Sequence, residues 1–165
     1  MKFNLNHSLV VLSLLSLCSL TACLSTKHHP NGMQIYSFRL SPGQDLKKEL
    51  DAFAKDKNLQ AGYVVTCVGS LRKAVIRLAN QPEAVTWEQK YEIVSLVGTF
   101  SPDGSHLHIS LSDSTGHTVG GHLMNGCEVY TTAEIVIGEA TSLQFRREVD
   151  PQTTYKELKV YERKE

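Results

Sequence analysis

Polar and apolar residues alternate along much of this chain, with the period of two expected of half-buried β-strands. The alternation is found in MQIYSFRL, YEIVSLVGTF, HLHISLSD, HTVGGHLM, EVYTTAEIVIG, LQFRREVD and YKELKVYER. A longer segment, AGYVVTCVGSLRKAVIRLA, predicts two more strands that meet about Gly69. The pattern therefore predicts a protein built mainly from short strands.

One segment, SPGQDLKKELDAFAKDKN, has helical spacing instead. Leu46, Leu50 and Phe53 share one face of the predicted helix, and Asp45 is expected in its first turn. Together with the strands, this helix predicts an α+β fold: a mostly antiparallel sheet of about seven strands with one main helix packed on it.

Four of the seven histidines fall within residues 104–139. Because side chains alternate faces along a strand, His106 and His108 project to the same side, and Leu107 and Ile109 face the opposite, buried side. Two imidazoles on one face of a strand can chelate one metal ion.

A third imidazole, His122, belongs to the following strand. It shares the face of His106 and His108 if the hairpin loop has three or five residues and takes the other face if the loop has two or four. Gly120 and Gly121 just before it indicate either a bulge, which would shift this register, or a close approach by a ligand or another backbone.

Three neutral imidazoles with an open fourth position match zinc sites that accept a ligand, and imidazole also suits iron, nickel and copper. The sequence thus predicts a site for zinc or another divalent metal at His106, His108 and His122; the alternative is a solvated strand face with no metal. His117 is expected outside the set, because it is an odd number of positions from His122.

Glu134 lies in TTAEIVIG at a parity opposite to that of Ala133 and Ile135. It is expected to face away from the apolar side, where it can orient a ligand imidazole or act as a general base. The sequence has no GxSxG elbow, P-loop or GxGxxG motif. Glu134 is therefore the one candidate for a catalytic role.

The first 23 residues contain one lysine, an apolar run and then small residues before Cys23, which predicts a secretory signal too short to anchor the chain. The segment LTAC resembles the lipobox of bacterial lipoproteins, which implies acylation of Cys23, with palmitate among the acyl chains. The predicted organisation is a signal peptide at 1–22, a lipidated tether at 23–32 and one domain at 33–165. The lipid anchor would hold the protein on an envelope membrane, and Leu24 favours the outer membrane, facing the periplasm.

The charge balance is neutral, with 17 basic and 17 acidic residues, and loss of Lys2 with the leader would leave about −1. This balance argues against nucleic acid as a partner. Cys67 and Cys127 lie in apolar contexts, which favours two buried thiols over a disulfide; a bridge in an oxidising compartment stays open.

Three segments, YEIVSLVGTFS, GHTVGGHL and CEVYTTAEIVIGE, resemble successive segments of the PPC (plants and prokaryotes conserved) domain, and the resemblance covers about Met33 to Val149. It implies a PPC-like fold and a homotrimer. In some bacterial and archaeal members the histidines of the HLH and GGHL segments bind metal, and here these are His106, His108 and His122. Plant members add an AT-hook and act on chromatin, but this chain has no RGRP-like core.

Two classes of function follow from these residues. The first is a membrane-anchored protein that binds a divalent metal or a small-molecule ligand through the three histidines. The second is a metal-dependent, hydrolase-like enzyme in which a metal-activated water attacks a small substrate with help from Glu134. The sequence favours binding, because it contains metal ligands but no evident set of residues to hold a substrate.

Overall fold

The computed structural model describes residues 32–163. The predicted signal peptide, Cys23 and nearly all of the tether lie outside these residues, so those predictions stay predictions. The described chain forms nine strands and one helix, in the order β1 (Met33–Leu40), α1 (Leu46–Asp56), β2 (Gly62–Arg77), β3 (Ala84–Trp87), β4 (Tyr91–Ser101), β5 (Gly104–Ser112), β6 (Thr118–Leu123), β7 (Glu128–Ala140), β8 (Leu143–Val149) and β9 (Lys156–Glu162). Within residues 32–163 there is no helix long and apolar enough to cross a membrane.

Seven strands form one antiparallel sheet in the order β1-β7-β2-β4-β5-β6, with β3 paired to β2. The far end of β2 also pairs with β6, so the sheet curls until its last strand meets a central one. Strands β8 and β9 form a separate hairpin. The predicted antiparallel sheet of about seven strands is confirmed, but α1 has only 11 residues, so α+β describes the fold only roughly.

Helix α1 begins at Leu46, slightly later than its sequence pattern indicates. Asp45, expected in the first turn, is the N-cap, and its carboxylate accepts a hydrogen bond from the backbone N–H of Lys48 at 3.2 Å. Such a cap contributes about 1 kcal/mol. Leu46 and Leu50 are fully buried against the sheet, and the ring of Phe53 stacks on Phe38 of β1 at 4.3 Å. The predicted apolar face of the helix is therefore confirmed.

Strand β5 shows how the sheet separates its two faces. Leu107, Ile109 and Leu111 are buried in the core, and the alternate positions His106 and His108 are exposed on the other face. Burying one such aliphatic side chain stabilises the fold by roughly 1.5–3 kcal/mol. This burial fixes the register of β5 and with it the direction in which the histidines point.

Strand β2 corrects one prediction. Its 16 residues run continuously through Gly69, where two separate strands were predicted. The pairing with β7 only shifts its register next to Gly69, which has a φ of +151°. A Cβ at this position would overlap the backbone carbonyl of Thr132, so glycine here permits a close approach of two strands instead of ending one.

Cys67 and Cys127 are both buried and both free. Burial raises the pKa of the Cys67 thiol to about 12 and that of the Cys127 thiol to about 11. The two side chains therefore behave as small hydrophobic groups.

Candidate metal centre

The hairpin of β5 and β6 brings the third histidine to the face of the other two. Ser112 pairs with Thr118, so five residues form the loop, and this odd number meets the parity condition. His108 stands directly opposite His122 in the ladder. Directly opposed residues of an antiparallel pair share a face. The sequence could state this condition but not the loop length that satisfies it.

Asp113 holds the five-residue loop in shape. Its Oδ1 atom accepts hydrogen bonds from the backbone N–H of Thr115 at 2.8 Å and of His117 at 3.1 Å. The hydrogen bond from the Thr115 hydroxyl contributes most to lowering the pKa of the Asp113 carboxyl, and these two backbone bonds add to it. Gly116 has a φ of +84°, in the left-handed region that favours glycine. The loop length, and with it the orientation of His122, thus depends on these local bonds.

Gly120 and Gly121 mark a close approach of backbones, not a bulge. The pairing of β5 with β6 is regular through both glycines. A Cβ at Gly121 would lie 2.6 Å from the carbonyl oxygen of Arg77 in β2, and one at Gly120 would lie 2.7 Å from that of Ile109 in β5. The glycines let β6 pack between β5 and β2, which sets the position of the following residue, His122.

The three imidazoles converge on one point. A ligand nitrogen from each of His106, His108 and His122 lies within 4.8 Å of the other two, and the ring centroids are 5.0–5.6 Å apart. The Nε2 atoms of His106 and His108 are 3.2 Å apart. Two nitrogens bound tetrahedrally to one zinc ion at about 2.05 Å would be separated by roughly 3.3 Å. The spacing of His106 and His108 therefore matches that of two zinc ligands, and His122 lies close enough to be the third.

The surroundings of His106 and His122 favour the neutral form of their imidazoles. Burial lowers the pKa of His122 to about 4, and the nearby charges of His106 and Arg77 add to the effect. Burial and the Arg147 guanidinium lower the pKa of His106. A metal ion needs the neutral, unprotonated form of its imidazole ligand. The Nδ1 atom of His122 is buried and has no hydrogen-bond partner within the described part of the chain, so it is a nitrogen that a metal ion would satisfy.

A cleft of about 320 Å³ opens beside the cluster. Its walls come from β4, β5 and the hairpin of β8 and β9; they are lined by Val97, Gly98, Thr99, His106, His108, Arg147, Glu157 and Leu158. Arg147 donates a hydrogen bond to the hydroxyl of Thr99 at 2.7 Å and lies 3.4 Å from Nδ1 of His106. His106 and His108 therefore border a shallow cleft whose wall also holds one cation and one carboxylate.

Two other candidate residues lie away from this cluster. His117 is exposed and lies 3.9 Å from the Asp113 carboxylate. It is outside the cluster as predicted, but because it belongs to the loop before β6 and not because of strand parity. Glu134 is exposed on β7 and pairs with Val68 of β2. His122 pairs with Arg77, which lies nine residues further along the same strand. This separation is roughly 30 Å of extended strand. Glu134 faces away from the buried side of β7 as predicted, but the fold of one chain does not bring it to the histidines.

The sequence alone did not identify Arg147 or Glu157 as site residues. They lie on the hairpin of β8 and β9, whose strands pair with each other and not with the main sheet. The alternation of polar and apolar residues therefore could not predict that this hairpin packs beside the histidines. One signal was present. Arg147 has the same parity in LQFRREVD as Phe145, which is buried, and an arginine on the inward face of a strand usually has a binding or structural role.

The comparison with known proteins agrees with the resemblance in the sequence. The profile of the Plants and Prokaryotes Conserved (PCC) domain, the family called PPC above, matches residues 27–141. The chain is 48% identical over 132 residues to the bifunctional protein GlmU of Synechococcus sp. (strain JA-3-3Ab), covering 79% of this chain and 21% of that protein. It is 28% identical over 111 residues to the AT-hook motif nuclear-localized protein 2 of Arabidopsis thaliana, covering 60% and 32%. The chain thus spans about a fifth of the length of the GlmU proteins that it matches.

Solved structures share the fold. A hypothetical protein from Salmonella superposes with a TM-score of 0.79 and 38% identity, covering 81% of this chain and 96% of that one. The metal-containing protein AF0104 from Archaeoglobus fulgidus superposes with a TM-score of 0.64 and 28% identity, covering 74% and 90%.

Proposed function

The chain belongs to the Plants and Prokaryotes Conserved domain family, and we propose that this member is a binding protein for a divalent metal ion, zinc in the first place. His106, His108 and His122 would hold the ion. The observation that carries the proposal is the convergence of three ligand nitrogens within 4.8 Å on one open face. The fold similarity to an archaeal protein described as metal-containing supports it.

The donor set favours zinc over harder ions. Imidazole nitrogen suits zinc and other transition metals, whereas magnesium and calcium prefer oxygen ligands. Three protein ligands would leave a fourth position for a further ligand, as in catalytic zinc sites. A bound zinc ion would supply Lewis acidity there. The chain itself supplies neutral imidazoles and a strand geometry that holds their directions.

A metal-dependent hydrolase is the second candidate function. The observation that favours it is the carboxylate of Glu157 in the wall of the cleft beside the histidines. Glu134, the base suggested by the sequence, is not in that wall. An enzyme of this kind would lose its hydrolytic activity when a chelator removes the metal and regain it when zinc is added. Assays of ester and phosphoester substrates with and without chelator therefore distinguish a hydrolase from a protein that only binds metal.

Single histidine variants of the full chain test the metal site. His108→Ala and His122→Ala should each retain less than about a tenth of the wild-type zinc after dialysis against micromolar free zinc, because two imidazoles must then share the ion with water. His117→Ala is the matched control, since this exposed histidine belongs to the same hairpin but lies outside the cluster. Metal content is measured by mass spectrometry, and circular dichroism checks the fold. Equal zinc in all three variants would refute the site.

A homotrimer without nucleic acid is the second part of the proposal. Val65 and Val68 of β2 and Val94 of β4 are each more than half exposed, at 51%, 57% and 60%. Adjacent exposed valines on a sheet are typical of a surface that another subunit covers. Light scattering on the full chain in detergent should give three subunits, and a monomer at micromolar concentration would contradict this.

The neutral net charge predicts no duplex DNA binding at physiological salt. A filter-binding assay tests this prediction.

Lipid anchoring at Cys23, with the domain on the periplasmic side of the outer membrane, completes the proposal and rests on the LTAC segment. Cys23→Ser should abolish labelling by radioactive palmitate and leave an unprocessed precursor. Wild-type labelling and processing of the Cys23→Ser protein would rule out the lipoprotein hypothesis.

A further inference from the structure

Arg147 lies beside the histidine cluster and forms no direct ion pair there, although the charge of the Glu157 carboxylate in the same cleft raises its pKa against the effect of burial. Its guanidinium contacts the Thr99 hydroxyl at 2.7 Å and Nδ1 of His106 at 3.4 Å, and both groups are neutral. Among the ion pairs of residues 32–163, Arg147 takes part in none, whereas its neighbour Arg146 pairs with Asp103 at 3.6 Å. A partly buried guanidinium is costly unless an anion compensates it.

The position of Arg147 is determined by its surroundings. Its backbone N–H donates to the Asp103 carboxylate at 3.0 Å, which ties β8 to the turn between β4 and β5. Its Nε atom is buried and has no partner within the described part of the chain. Burial lowers the pKa of this guanidinium from its ordinary value. Arg147 is thus held at the wall of the cleft and partly removed from water before any ligand arrives.

The lining of the cleft favours one kind of ligand. The cleft volume of about 320 Å³ is at the small end of ligand sites in proteins. Val97 and Leu158 supply apolar walls, and Leu158 stands directly opposite Arg147 in the hairpin. This lining suits a small molecule with a hydrocarbon part for the apolar side chains and a charged end for the guanidinium.

We propose that Arg147 anchors a small aliphatic carboxylate in this cleft, next to His106, His108 and His122. A planar guanidinium matches a carboxylate with two parallel hydrogen bonds. Glu157 in the same wall favours a ligand with one negative charge over a phosphate, because a second charge would add repulsion from this carboxylate. The inference rests on the proposed function, since it names the class of molecule that the metal centre would receive.

Equilibrium dialysis of the full chain with radiolabelled propionate tests the inference, with inorganic phosphate as the second probe. Arg147→Met keeps the length of the side chain but removes the guanidinium, and it should raise the dissociation constant for propionate by about tenfold to a hundredfold. Arg146→Met is the matched control and should change it less than about twofold, because this guanidinium pairs with Asp103. Thr99→Val removes the hydroxyl that orients Arg147 and should weaken propionate binding severalfold. This second variant allows the inference to be tested even if Arg147→Met does not fold.

Running each titration with zinc-loaded and with metal-free protein separates this inference from the metal proposal. Normal zinc content together with equal propionate binding by wild type, Arg147→Met and Thr99→Val would overturn the carboxylate site and leave the metal centre intact. Phosphate binding tighter than propionate binding, or no propionate binding by the wild type, would also overturn it. Absence of zinc from the wild type would refute the metal centre, and the metal-free titration would still decide on Arg147.

Discussion

Acidification should destabilise the metal-free protein through His122. Burial lowers the pKa of this imidazole to about 4, whereas the same group in the unfolded chain has its ordinary value of 6.5. Between about pH 4 and pH 6.5, His122 is therefore mostly protonated in the unfolded chain and mostly neutral in the folded chain. The stability contributed by the neutral ring is therefore complete above pH 6.5 and is lost as the pH falls from 6.5 toward 4.

The size of this effect follows from the difference between the two pKa values. A change from 6.5 to about 4 corresponds to roughly 3 kcal/mol for a ring fully removed from water. His122 is only partly buried, and solvent screens its interactions with its neighbours. We therefore expect the free energy of unfolding to fall by about 1–2 kcal/mol between pH 7 and pH 4.5 because of this residue.

Urea denaturation in the presence of a chelator measures the effect. The free energy of unfolding is compared at pH 7 and pH 4.5 for the wild type, His122→Gln and His117→Gln. His122→Gln should remove about 1–2 kcal/mol of the pH dependence, and His117→Gln, which alters an exposed ring in the same hairpin, should leave it unchanged. The same pH dependence in all three proteins would show that His122 is not held neutral by the fold.

Further predictions concern the strands and the loop that carry the histidines. Gly98→Ala would place a Cβ against the backbone carbonyl of His106, so it should cost at least about 1–3 kcal/mol in urea denaturation and weaken zinc binding; unchanged values would contradict the close packing of β4 on β5. Leu107→Ala should cost about 2–5 kcal/mol while the folded protein keeps its zinc, because this side chain faces the core; loss of zinc with an intact fold would be unexpected. Asp113→Ala should lower stability by about 1–2 kcal/mol through the lost loop bonds to residues such as His117, measured by thermal denaturation, and no change would show that other contacts fix the loop.

Strand periodicity was enough to predict which residues of β5 face the core and which face the site. Leu107 and Ile109 are buried and His106 and His108 are exposed because a regular strand has no other way to place them. The side of His122 was not predictable in the same way. It depends on the number of loop residues, and this number is set by the hydrogen bonds of Asp113, which a pattern of apolar and polar residues does not contain.

The glycines show a second limit of the sequence. Gly69 looked like a break between strands, and Gly120 and Gly121 like a bulge or a close approach. In each case the backbone of a neighbouring strand occupies the space that a Cβ would take. Which strand lies there is a property of the sheet order, and β2 pairs with β6 only because the whole sheet curls. The position of Arg147 over the histidines depends in the same way on the hairpin that carries it.

The five-residue loop between β5 and β6 also restricts how this family can diverge. Insertion or deletion of two residues in the loop keeps His122 on the face of its partners, whereas a change of one residue turns it to the opposite face unless a bulge compensates. Lineages that retain all three histidines are therefore expected to differ in this loop by even numbers. A lineage with an odd change should be free of selection on the histidines and should lose them by drift.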